Sequence, residues 1–596
     1  MNDSLEIIRH SAAHLLAAAV YKMWPKTKFG IGPVTKSGFY YDFDLPVKIG
    51  EKDLLKIETA MGELKKQDLA FEKSEMGIDE AIKMERGRSQ LYKAALLEQI
   101  KETGSADVDH KTNVGVEDGK SAKGKVKKVS YYRTGDFLDL CRGPHVASSG
   151  KIGHFKLLTI AGAYWRGSEK NKMLTRIYGV VWQTKPELDQ YLHNLEEQKK
   201  RDHKRLGSEL GLFTFLPQAP GMPFWYPKGH RLLQKLKDFI RAFNKKYSYL
   251  EISTPLLAKR EVWETSGHWE LFREDMFVFN TDKHTYSLKP MNCPETLLLY
   301  NTTHHSHNEL PLKYSDLDIL HRYEESGTLN GLFRVREFSQ DDGHVLCTPD
   351  QVGDAISEAI EMAKEVFNSF GFKPTFYLAT KPDKALGEVS VWEKAEKSLE
   401  QALKNNKVAY FLKPKDGAFY GPKIDLHIDD SLGRNWQLAT IQLDFQMPKR
   451  FNAVYIDEGG RRATPIMIHR AILGSFERFL AIILEHYAGA LPFWLSPVQA
   501  VVIPIAERHA EYAESIQKML TKANFYIEVD NRSETMQAKI RDAQLQKIPY
   551  MLIVGDKEKV QRQVAVRSWQ NGDEGVVSLA ELLARFEKEA KSFDRR

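Results

Sequence analysis

Hydrophobic and polar positions change their period along the chain, and these changes divide it into parts. Apolar residues recur at helical spacing in some stretches and at strand spacing in others, and prolines and polar runs separate the stretches. A chain of 596 residues is expected to form about three to five domains. The predicted parts are residues 1–185, 186–207, 208–496 and 497–596.

The C-terminal part has the clearest pattern. Beyond Pro497, the apolar runs VQAVVIPI, FYIEVD and YMLIVGD alternate with the helical stretches AEYAESIQKML and TMQAKIRDAQLQ. Strands and helices that alternate with short connections predict a small α/β sheet domain. This domain is expected to be independent of an antiparallel core in residues 208–496.

The first two parts mix helix and strand patterns. Residues 1–185 are predicted to be α+β, with a polar insertion over 101–128 that is expected to be mobile. Residues 186–207 are predicted to be one helix that ends in KKRDHKR. This basic end is either a solvated helix end or a surface that lies against RNA.

Three arginines in the central part indicate a phosphate site. The stretch around HRYEESGTLNGLFRVREFSQ is interpreted as strand, polar loop and strand, with Arg322 and Arg334 on adjacent strands and Arg336 on the same face as Arg334. Arg478 is placed on a helix, ILGSFERF. A single surface arginine is as often merely solvated, but three that converge on one cleft suit phosphate oxygens.

Cys293, His344 and His469 form a candidate metal set. Cys293 is placed in a KPMNCP turn, His344 follows REFSQDDG, and His469 is placed at the start of a helix, MIHRAILGSFERF. One thiolate and two imidazoles suit a zinc ion whose fourth position is left for a substrate. A single Cys or His in a large chain is more often a packed core residue, and the spacing is too wide for a zinc finger. The hypothesis therefore depends on the neighbouring nucleotide site.

A second cluster is expected near the N-terminus. His10 and His14 are four apart on an amphipathic helix and share one face, and Cys141 and His145 are four apart in the turn DLCRGPHV. The HxxxH pair alone is more often packing, but the four residues together indicate a site, and their spacing is also compatible with a closed zinc site.

The segments HRYEESG, GLFRVREFSQDDGH, GAFYGPKID, TIQLDF and MIHRAILGSFERF resemble the signature segments of class II aminoacyl-tRNA synthetases. The set of Cys293, His344 and His469 is similar to that of the threonyl-tRNA synthetase family, in its bacterial type with an editing domain. The resemblance implies an antiparallel-sheet catalytic core over 208–496, preceded by a linker helix over 186–207. It also implies an α+β editing domain over 1–185 and an α/β anticodon-binding domain over 497–596.

The activity implied by this resemblance is that of a threonine–tRNA ligase that also hydrolyses mischarged seryl-tRNA(Thr). The implied substrates and partners are tRNA(Thr), ATP, L-threonine and a second copy of the chain in a homodimer. The implied cofactors are one Zn²⁺ per subunit and Mg²⁺ with ATP.

The resemblance also implies roles for single residues. Arg322 would hold the α-phosphate, and Arg334 and Arg478 the γ-phosphate side of a bent ATP. Glu324 would bind the adenine amino group and Phe338 would stack on the ring. The other implied residues are Asp342 for the threonine hydroxyl; Gln340, Tyr420, Lys423, Gln437, Gln442 and Ser475 for the amino-acid and adenylate pocket; His10, His14, Tyr41, Asp139, Cys141 and His145 for an editing site that acts without a metal; and Glu558 and Arg567 for the anticodon.

Two sites are expected because one pocket cannot separate threonine from both of its close analogues. An apolar pocket distinguishes a single methyl group by only about 10–200-fold. An open zinc site takes the amino and hydroxyl groups of threonine together, and valine cannot supply the second contact. Serine supplies both groups, so its rejection requires a separate hydrolytic site.

Three features depart from the family pattern. Glu295 and Thr296 follow the cysteine turn, where the family usually has Gly-His, which puts the neighbouring pocket wall in question. The chain starts almost at the helix of His10, without the small β-grasp module that usually precedes the editing domain. Ser533 stands where the family typically has Asn, so the anticodon contacts of Glu558 and Arg567 are the least supported.

Composition bounds the remaining possibilities. The net charge is only +6, so RNA binding must come from local basic patches, and three cysteines fit a reducing cytoplasm rather than a disulfide framework. No signal peptide and no apolar stretch of about 20 residues is found, so no membrane association is expected. A lone editing hydrolase, a prolyl or seryl sibling enzyme and a non-catalytic RNA-binding paralogue are the alternatives. The paralogue is the strongest of them, although it would be expected to lose phosphate arginines or metal ligands.

Overall fold

The computed structural model describes residues 2–35, 37–104, 126–168, 170–281 and 283–591. Most of the polar stretch 101–128, which was predicted to be mobile, lies outside the described residues. The chain folds into two compact units, Met1–Glu196 and Glu197–Arg596. Among the described residues, no helix combines the length and the apolar character that crossing a membrane requires.

The N-terminal unit contains a four-stranded antiparallel sheet with the order β1-β2-β7-β6 and a three-stranded sheet with the order β3-β4-β5. Helix α1 packs its apolar face into the core, where Ala12, Leu15, Leu16 and Ala19 are fully buried as their helical spacing predicts. The elements are α1 (Asn2–Met23), β1 (Lys28–Phe29), β2 (Phe39–Asp44), α2 (Glu51–Lys66), β3 (Glu72–Gly77), α3 (Ile78–Gly87), α4 (Leu91–Thr103), β4 (Lys128–Thr134), β5 (Phe137–Leu140), β6 (His154–Tyr164) and β7 (Met173–Trp182).

The prediction of one helix over 186–207 is wrong. Two helices occupy this stretch, α5 (Lys185–Lys200) and α6 (His203–Glu209). The Asp202 side chain accepts hydrogen bonds from the backbone N–H groups of Lys204 and Arg205 and so begins a new helix. A local capping interaction therefore interrupts a stretch whose composition is helical throughout.

The C-terminal unit begins with a largely antiparallel sheet of nine strands. Eight of them follow the order β10-β15-β17-β24-β21-β20-β18-β19, and β16 pairs with β17 off this path. The strands of this region are β8 (Phe213–Phe215), β9 (Pro223–Trp225), β10 (Leu250–Ile252), β11 (Leu257–Lys259), β12 (Val278–Thr281), β13 (His284–Leu288), β14 (His305–Ser306), β15 (Leu312–Asp316), β16 (Ile319–His321), β17 (Glu337–Cys347), β18 (Thr375–Ala379), β19 (Tyr410–Lys413), β20 (Lys423–Asp429), β21 (Asn435–Asp444), β22 (Tyr455–Ile456), β23 (Arg462–Ala463) and β24 (Ile466–Ser475).

Helices cover this large sheet, and its apolar residues form the largest core of the chain. The last helix of the region is central to that core, because Phe476, Phe479 and Leu480 are completely buried. The helices are α7 (Pro227–Lys246), α8 (Arg260–Ser266), α9 (His268–Leu271), α10 (Cys293–Tyr300), α11 (Val352–Ser369), α12 (Val389–Asn405), α13 (Met447–Arg450) and α14 (Phe476–His486).

The end of the chain confirms the predicted alternation of strand and helix. Strands β26, β25 and β27 are parallel, and β28 and β29 continue the five-stranded sheet as antiparallel strands. The elements are β25 (Ala500–Pro504), α15 (Ala510–Lys522), β26 (Ile527–Val529), α16 (Met536–Leu545), β27 (Tyr550–Val554), α17 (Asp556–Gln561), β28 (Gln563–Ser568), β29 (Gly572–Ser578) and α18 (Leu579–Ala590). The predicted fold class, a mixture of α+β and α/β parts around an antiparallel sheet, is confirmed.

Candidate functional site

Cys293, His344 and His469 come together in the C-terminal unit. Their potential ligand atoms lie within 4.8 Å of one another, and all three residues are buried. His344 on β17 is the register partner of His469 on β24, and Cys293 is the first residue of α10. The placement of His469 at the start of a helix is wrong, because the helix begins only at Phe476. The run IMIHRAIL is buried on both faces, so its apolar pattern does not separate strand from helix.

The donor set fits a zinc ion. The Nδ1 atom of His344 lies 3.4 Å from the Thr296 hydroxyl, and Nε2 of His469 lies 3.0 Å from Oδ2 of Asp444, which leaves the other nitrogen of each ring for an ion. Burial raises the pKa of the Cys293 thiol well above its usual range and lowers the pKa of His344 well below it. The neutral imidazole of His344 is ready to coordinate, and a cation would supply the charge that a buried thiolate needs.

Asp342 lies beside this cluster. It precedes His344 by two residues on β17, so both side chains are on the same face of the sheet. Its Oδ2 accepts a hydrogen bond from the Asn292 side chain at 3.1 Å. Burial raises the pKa of Asp342 to about 6, against the opposing effect of His469.

One row of side chains crosses four neighbouring strands. Register pairs join Lys423 on β20 to Gln442 on β21, Gln442 to His469 on β24, and His469 to His344 on β17. The Tyr420 hydroxyl donates a hydrogen bond to the Gln442 side chain at the edge of this row. Since residues opposite each other on neighbouring strands share a face, the row places the expected pocket residues next to the candidate metal ligands.

A cleft of about 360 Å³ opens on the same sheet. Nine of its lining residues were predicted as site residues: Arg322, Glu324, Arg334, Phe338, Gln340, Gln437, Gln442, Ser475 and Arg478. The cleft is also lined by five residues that were not predicted: Phe333, Val335, Leu438, Thr440 and Gly474. The predicted pocket residues Asp342, Tyr420 and Lys423 are not among the lining residues of this cleft; they lie in or beside the row that crosses the sheet.

Three arginines converge on the cleft as predicted, although the two that were predicted to lie on strands do not. Arg322 follows the end of β16, and Arg334 follows a short 3₁₀ turn, Gly331–Phe333, so the placement on adjacent strands is wrong. Arg336 does not share their role, because it is buried and donates to the backbone carbonyl of Glu324 at 2.8 Å. Burial lowers the pKa of Arg322, and burial and Arg334 lower that of Arg478, which indicates a site that favours an anion.

The N-terminal unit holds the second cluster. The Sγ atom of Cys141 lies 3.2 Å from Nε2 of both His10 and His145, and these two rings stack with centroids 4.4 Å apart. His14 is not part of this close set: it is buried against Phe71, Phe137 and the His145 ring. Burial raises the pKa of Cys141 to about 12 and lowers the pKa values of the histidines, that of His14 to about 4.

The two residues predicted to complete this cluster, Tyr41 and Asp139, form a buried hydrogen-bonded network beside it. The Tyr41 hydroxyl donates to Oδ2 of Asp139 at 2.5 Å, and Asp139 pairs with Lys93 at 2.7 Å. Lys93 also donates to the Tyr41 hydroxyl at 3.1 Å. Lys93 was not predicted, although a lysine at the helical spacing of the buried Leu97 and Ile100 on α4 is a usable signal. Thr296 and Asp444 were not predicted as partners of the candidate metal ligands either.

The two anticodon candidates lie in the C-terminal part. Glu558 is in the first turn of α17, where its carboxylate accepts from the backbone N–H of Gly555 at 2.9 Å. Arg567 is on β28, opposite Asp573 on β29. The local capping bond gives Glu558 a structural role of its own.

Three family descriptions match the chain. Residues 277–487 match the tRNA synthetase class II core domain (G, H, P, S and T), and residues 499–589 match the anticodon binding domain. Residues 129–178 match the threonyl and alanyl tRNA synthetase second additional domain. The predicted catalytic core, anticodon-binding domain and editing domain thus each have a counterpart.

Similar proteins extend over almost the whole chain. The threonine–tRNA ligase of Carboxydothermus hydrogenoformans is 47% identical over 582 residues, which are 98% of this chain and 88% of that protein. The threonine–tRNA ligase of Alkalilimnicola ehrlichii is 45% identical over 594 residues, 100% of this chain and 89% of that protein. A crystal structure described as the RNA binding domain of threonyl-tRNA synthetase from Cryptosporidium parvum Iowa II is 42% identical, with a TM-score of 0.64, and covers 65% of this chain and 98% of that one. The chain therefore belongs to the threonine–tRNA ligase family of class II aminoacyl-tRNA synthetases.

Proposed function

We propose that the chain activates L-threonine with ATP and transfers it from the threonyl-adenylate to the 3′ end of tRNA(Thr). The observation that carries this proposal is the row Lys423, Gln442, His469 and His344, which joins the metal ligands to the arginine-lined cleft on one face of one sheet. An amino acid held at the row has its carboxylate next to a nucleotide held in the cleft.

The arginines bind and position ATP. Arg322 holds the α-phosphate while the threonine carboxylate attacks the phosphorus and pyrophosphate leaves, and Arg334 and Arg478 hold the γ-phosphate side together with Mg²⁺. Glu324 binds the adenine amino group and Phe338 stacks on the ring. This chemistry needs positioned charge rather than a protein nucleophile, because the attacking group is already an anion.

Cys293, His344 and His469 would hold one Zn²⁺ per subunit. When bound, the ion supplies an open coordination position for the amino and hydroxyl groups of threonine. Asp342 accepts a hydrogen bond from the hydroxyl group of the substrate, and Gln340, Tyr420, Gln437 and Ser475 complete the pocket wall. Valine offers no hydroxyl group to Asp342 and is rejected for that reason.

The N-terminal cluster hydrolyses mischarged seryl-tRNA(Thr). His10, His145 and Cys141 surround the water that attacks the ester, and the neutral imidazoles are available to take its proton. Asp139, Tyr41 and Lys93 form the buried wall beside them, and His14 supports the ring of His145. No metal is required for this step.

The remaining assignments concern domains and partners. We assign editing to 1–185, a linker to 186–207, catalysis to 208–496 and anticodon binding, with Glu558 and Arg567, to 497–596. A homodimer is supported by the exposed Leu250, Leu256 and Leu257 around Pro255, on and next to the edge strand β10. The enzyme acts in the cytoplasm, where charged tRNA is used.

Charging of tRNA(Thr) with labelled threonine tests the ligase assignment. Arg322→Gln should lower the charging rate by at least about 100-fold, because a preorganised charge at the reacting phosphate is lost. Arg461→Gln is the matched control, since Arg461 is exposed and, within the described part of the chain, its side chain pairs with the nearby Asp457. Equal rates for the two variants, or no charging by the unsubstituted protein, would reject the assignment. A non-catalytic RNA-binding paralogue is not favoured, since all three arginines and all three metal ligands are present.

A further inference from the structure

His203 is a buried histidine outside the residues discussed so far. It begins α6, is completely buried, and has hydrogen-bond partners for its backbone N–H and for both ring nitrogens. Its backbone N–H and its Nδ1 both lie within hydrogen-bonding distance of Oε1 of Glu485 on α14, at 3.0 and 2.7 Å. Its Nε2 accepts from the backbone N–H of Leu332 at 3.0 Å. Because a backbone N–H can only donate, Nε2 carries no proton, so the proton of the neutral ring is on Nδ1 and is donated to Glu485.

The Leu332 bond attaches the ring to the loop that enters the nucleotide cleft. Leu332 lies in the turn Gly331–Phe333, which directly precedes Arg334. Gly331 has a φ of +50° and no room for a side chain, because a Cβ there would collide with Nε2 of His203. The turn therefore rests directly on the edge of the His203 ring.

The next residue, Phe333, joins this support to the cleft wall. Its ring meets that of His203 edge-on with centroids 4.3 Å apart and stacks on Trp436 with centroids 4.5 Å apart. Trp436 is fixed by a hydrogen bond of 2.8 Å to Asp430 and lies below Arg478, whose guanidinium is 5.6 Å from the ring centroid. Phe333, Arg334 and Arg478 all line the cleft.

Glu485 closes the network from the other side. Its second oxygen lies 2.6 Å from Arg434, which also pairs with Asp430. One oxygen of this carboxylate therefore holds His203. The other contacts Arg434, which directly precedes β21, the strand of Trp436. Two of the elements that bring cations to the cleft, the Leu332 turn and α14, are therefore fastened around one imidazole.

We propose that His203 is a positioning residue for ATP: its unprotonated Nε2 holds the Leu332 turn so that Phe333 and Arg334 face the triphosphate. This inference rests on the proposed function, because it assigns the cleft to ATP. The residue touches no substrate, so its loss should weaken ATP binding and leave threonine binding unchanged.

Steady-state ATP–pyrophosphate exchange with two variants tests the role. In His203→Asn the amide can still donate to Glu485, but no acceptor reaches Leu332, so the KM for ATP should rise about tenfold, as for one lost buried hydrogen bond, with the KM for threonine within about twofold. In His203→Gln the longer side chain brings an amide oxygen to the Nε2 position, and most of the ATP affinity should return.

His509→Asn is the matched control. His509 is also buried and also uses both ring nitrogens, with Ala506 N–H at 3.2 Å and Asp556 at 2.9 Å, but it lies in the part of the chain that matches the anticodon binding domain. Neither KM should change in this variant. Thermal unfolding of all variants separates a lost fold from a lost contact. If His203→Asn does not fold, the test rests on His203→Gln. Any increase in KM that this variant retains must be larger for ATP than for threonine.

Equal shifts of both KM values, or an unchanged KM for ATP in a folded His203→Asn protein that exchanges normally, would overturn this inference alone. Absence of threonine-dependent exchange in the unsubstituted protein would overturn the proposed function and this inference together.

Discussion

His344 and His469 face each other across neighbouring strands, with ring centroids 5.1 Å apart and planes inclined at 83°. Cys293 reaches the same point from the start of a helix, so three candidate ligands distant in sequence converge through the register of two strands. The geometry leads to predictions about metal binding, editing and stability.

Replacing the cysteine ligand should remove the metal. In Cys293→Ser we expect zinc content to fall from one ion per chain to near zero, and threonine activation to fall with it, because a neutral hydroxyl is a poor zinc ligand. Metal analysis of the purified protein measures the content. Cys347→Ala is the control, since Cys347 is also a buried free cysteine but does not belong to the set of Cys293, His344 and His469. A Cys293→Ser protein that retains a full zinc ion would refute the assignment of this ligand.

Thr296 should orient His344. Thr296→Val keeps the shape of the side chain but removes the hydroxyl at 3.4 Å from Nδ1 of His344. Zinc affinity is expected to fall about 10-fold, which is the lower end of the usual effect of removing a hydrogen-bond partner of a metal-binding histidine. Competition with a zinc chelator measures the affinity. Thr296→Ser retains the hydroxyl and should bind zinc as the unsubstituted protein does. If valine and serine give the same affinity, the hydroxyl does not act on the ligand.

Lys93 should be needed for editing but not for activation. Lys93→Gln leaves Asp139 and Tyr41 without their cation, so seryl-tRNA(Thr) hydrolysis is expected to slow by about 10–100-fold, as when one positioned charge is lost, while ATP–pyrophosphate exchange is unchanged. Lys101→Gln, on the same helix but exposed, is the control. Hydrolysis of preformed seryl-tRNA is the measurement, and an equal loss of exchange would show a general folding defect instead.

The N-terminal unit should lose stability on acidification. Burial lowers the pKa values of His10, His14 and His145 in the folded protein, that of His14 to about 4, while an unfolded histidine takes up its proton near pH 6.5. The unfolded state therefore binds more protons as the pH falls from about 7 to 5, at a cost to folding of about 2 kcal/mol for His14 alone.

Hydrogen exchange of α1, corrected for the intrinsic rate, measures this effect between pH 7.5 and 5.0. His14→Gln should show a weaker pH dependence, because one titrating group is gone. Stability of the unit that rises as the pH falls would contradict the prediction.

Segments with a regular spacing of apolar residues were predicted correctly from the sequence, whereas segments that are buried on both faces were not. The elements from β25 to β27 follow from the alternation of strand and helix patterns, whereas the antiparallel pair of β28 and β29 was not predicted. The run before Phe476 is buried on both faces and lacks a distinguishing period, so His469 was misplaced on a helix. At Asp202, a single side-chain cap divides a stretch whose propensities favour continuous helix.

The candidate sites depended more on resemblance than on pattern. Arg322, Arg334 and Arg478 converge as expected, although turns rather than strands carry the first two. Lys93 and His203 were missed because their partners, Asp139 and Leu332, lie far away in sequence and meet them only through tertiary packing. A buried partner of this kind has no local signal beyond a polar residue at an apolar position.

Amino-acid-dependent ATP–pyrophosphate exchange on the zinc-loaded protein tests the central claim most directly. The comparison includes threonine, serine, valine and proline at equal concentrations. We expect strong exchange with threonine, weaker exchange with serine and none with valine or proline, because only an amino alcohol satisfies both the ion and Asp342. Exchange with valine as strong as with threonine would contradict the selection mechanism, and no exchange with any of the four would contradict the ligase itself.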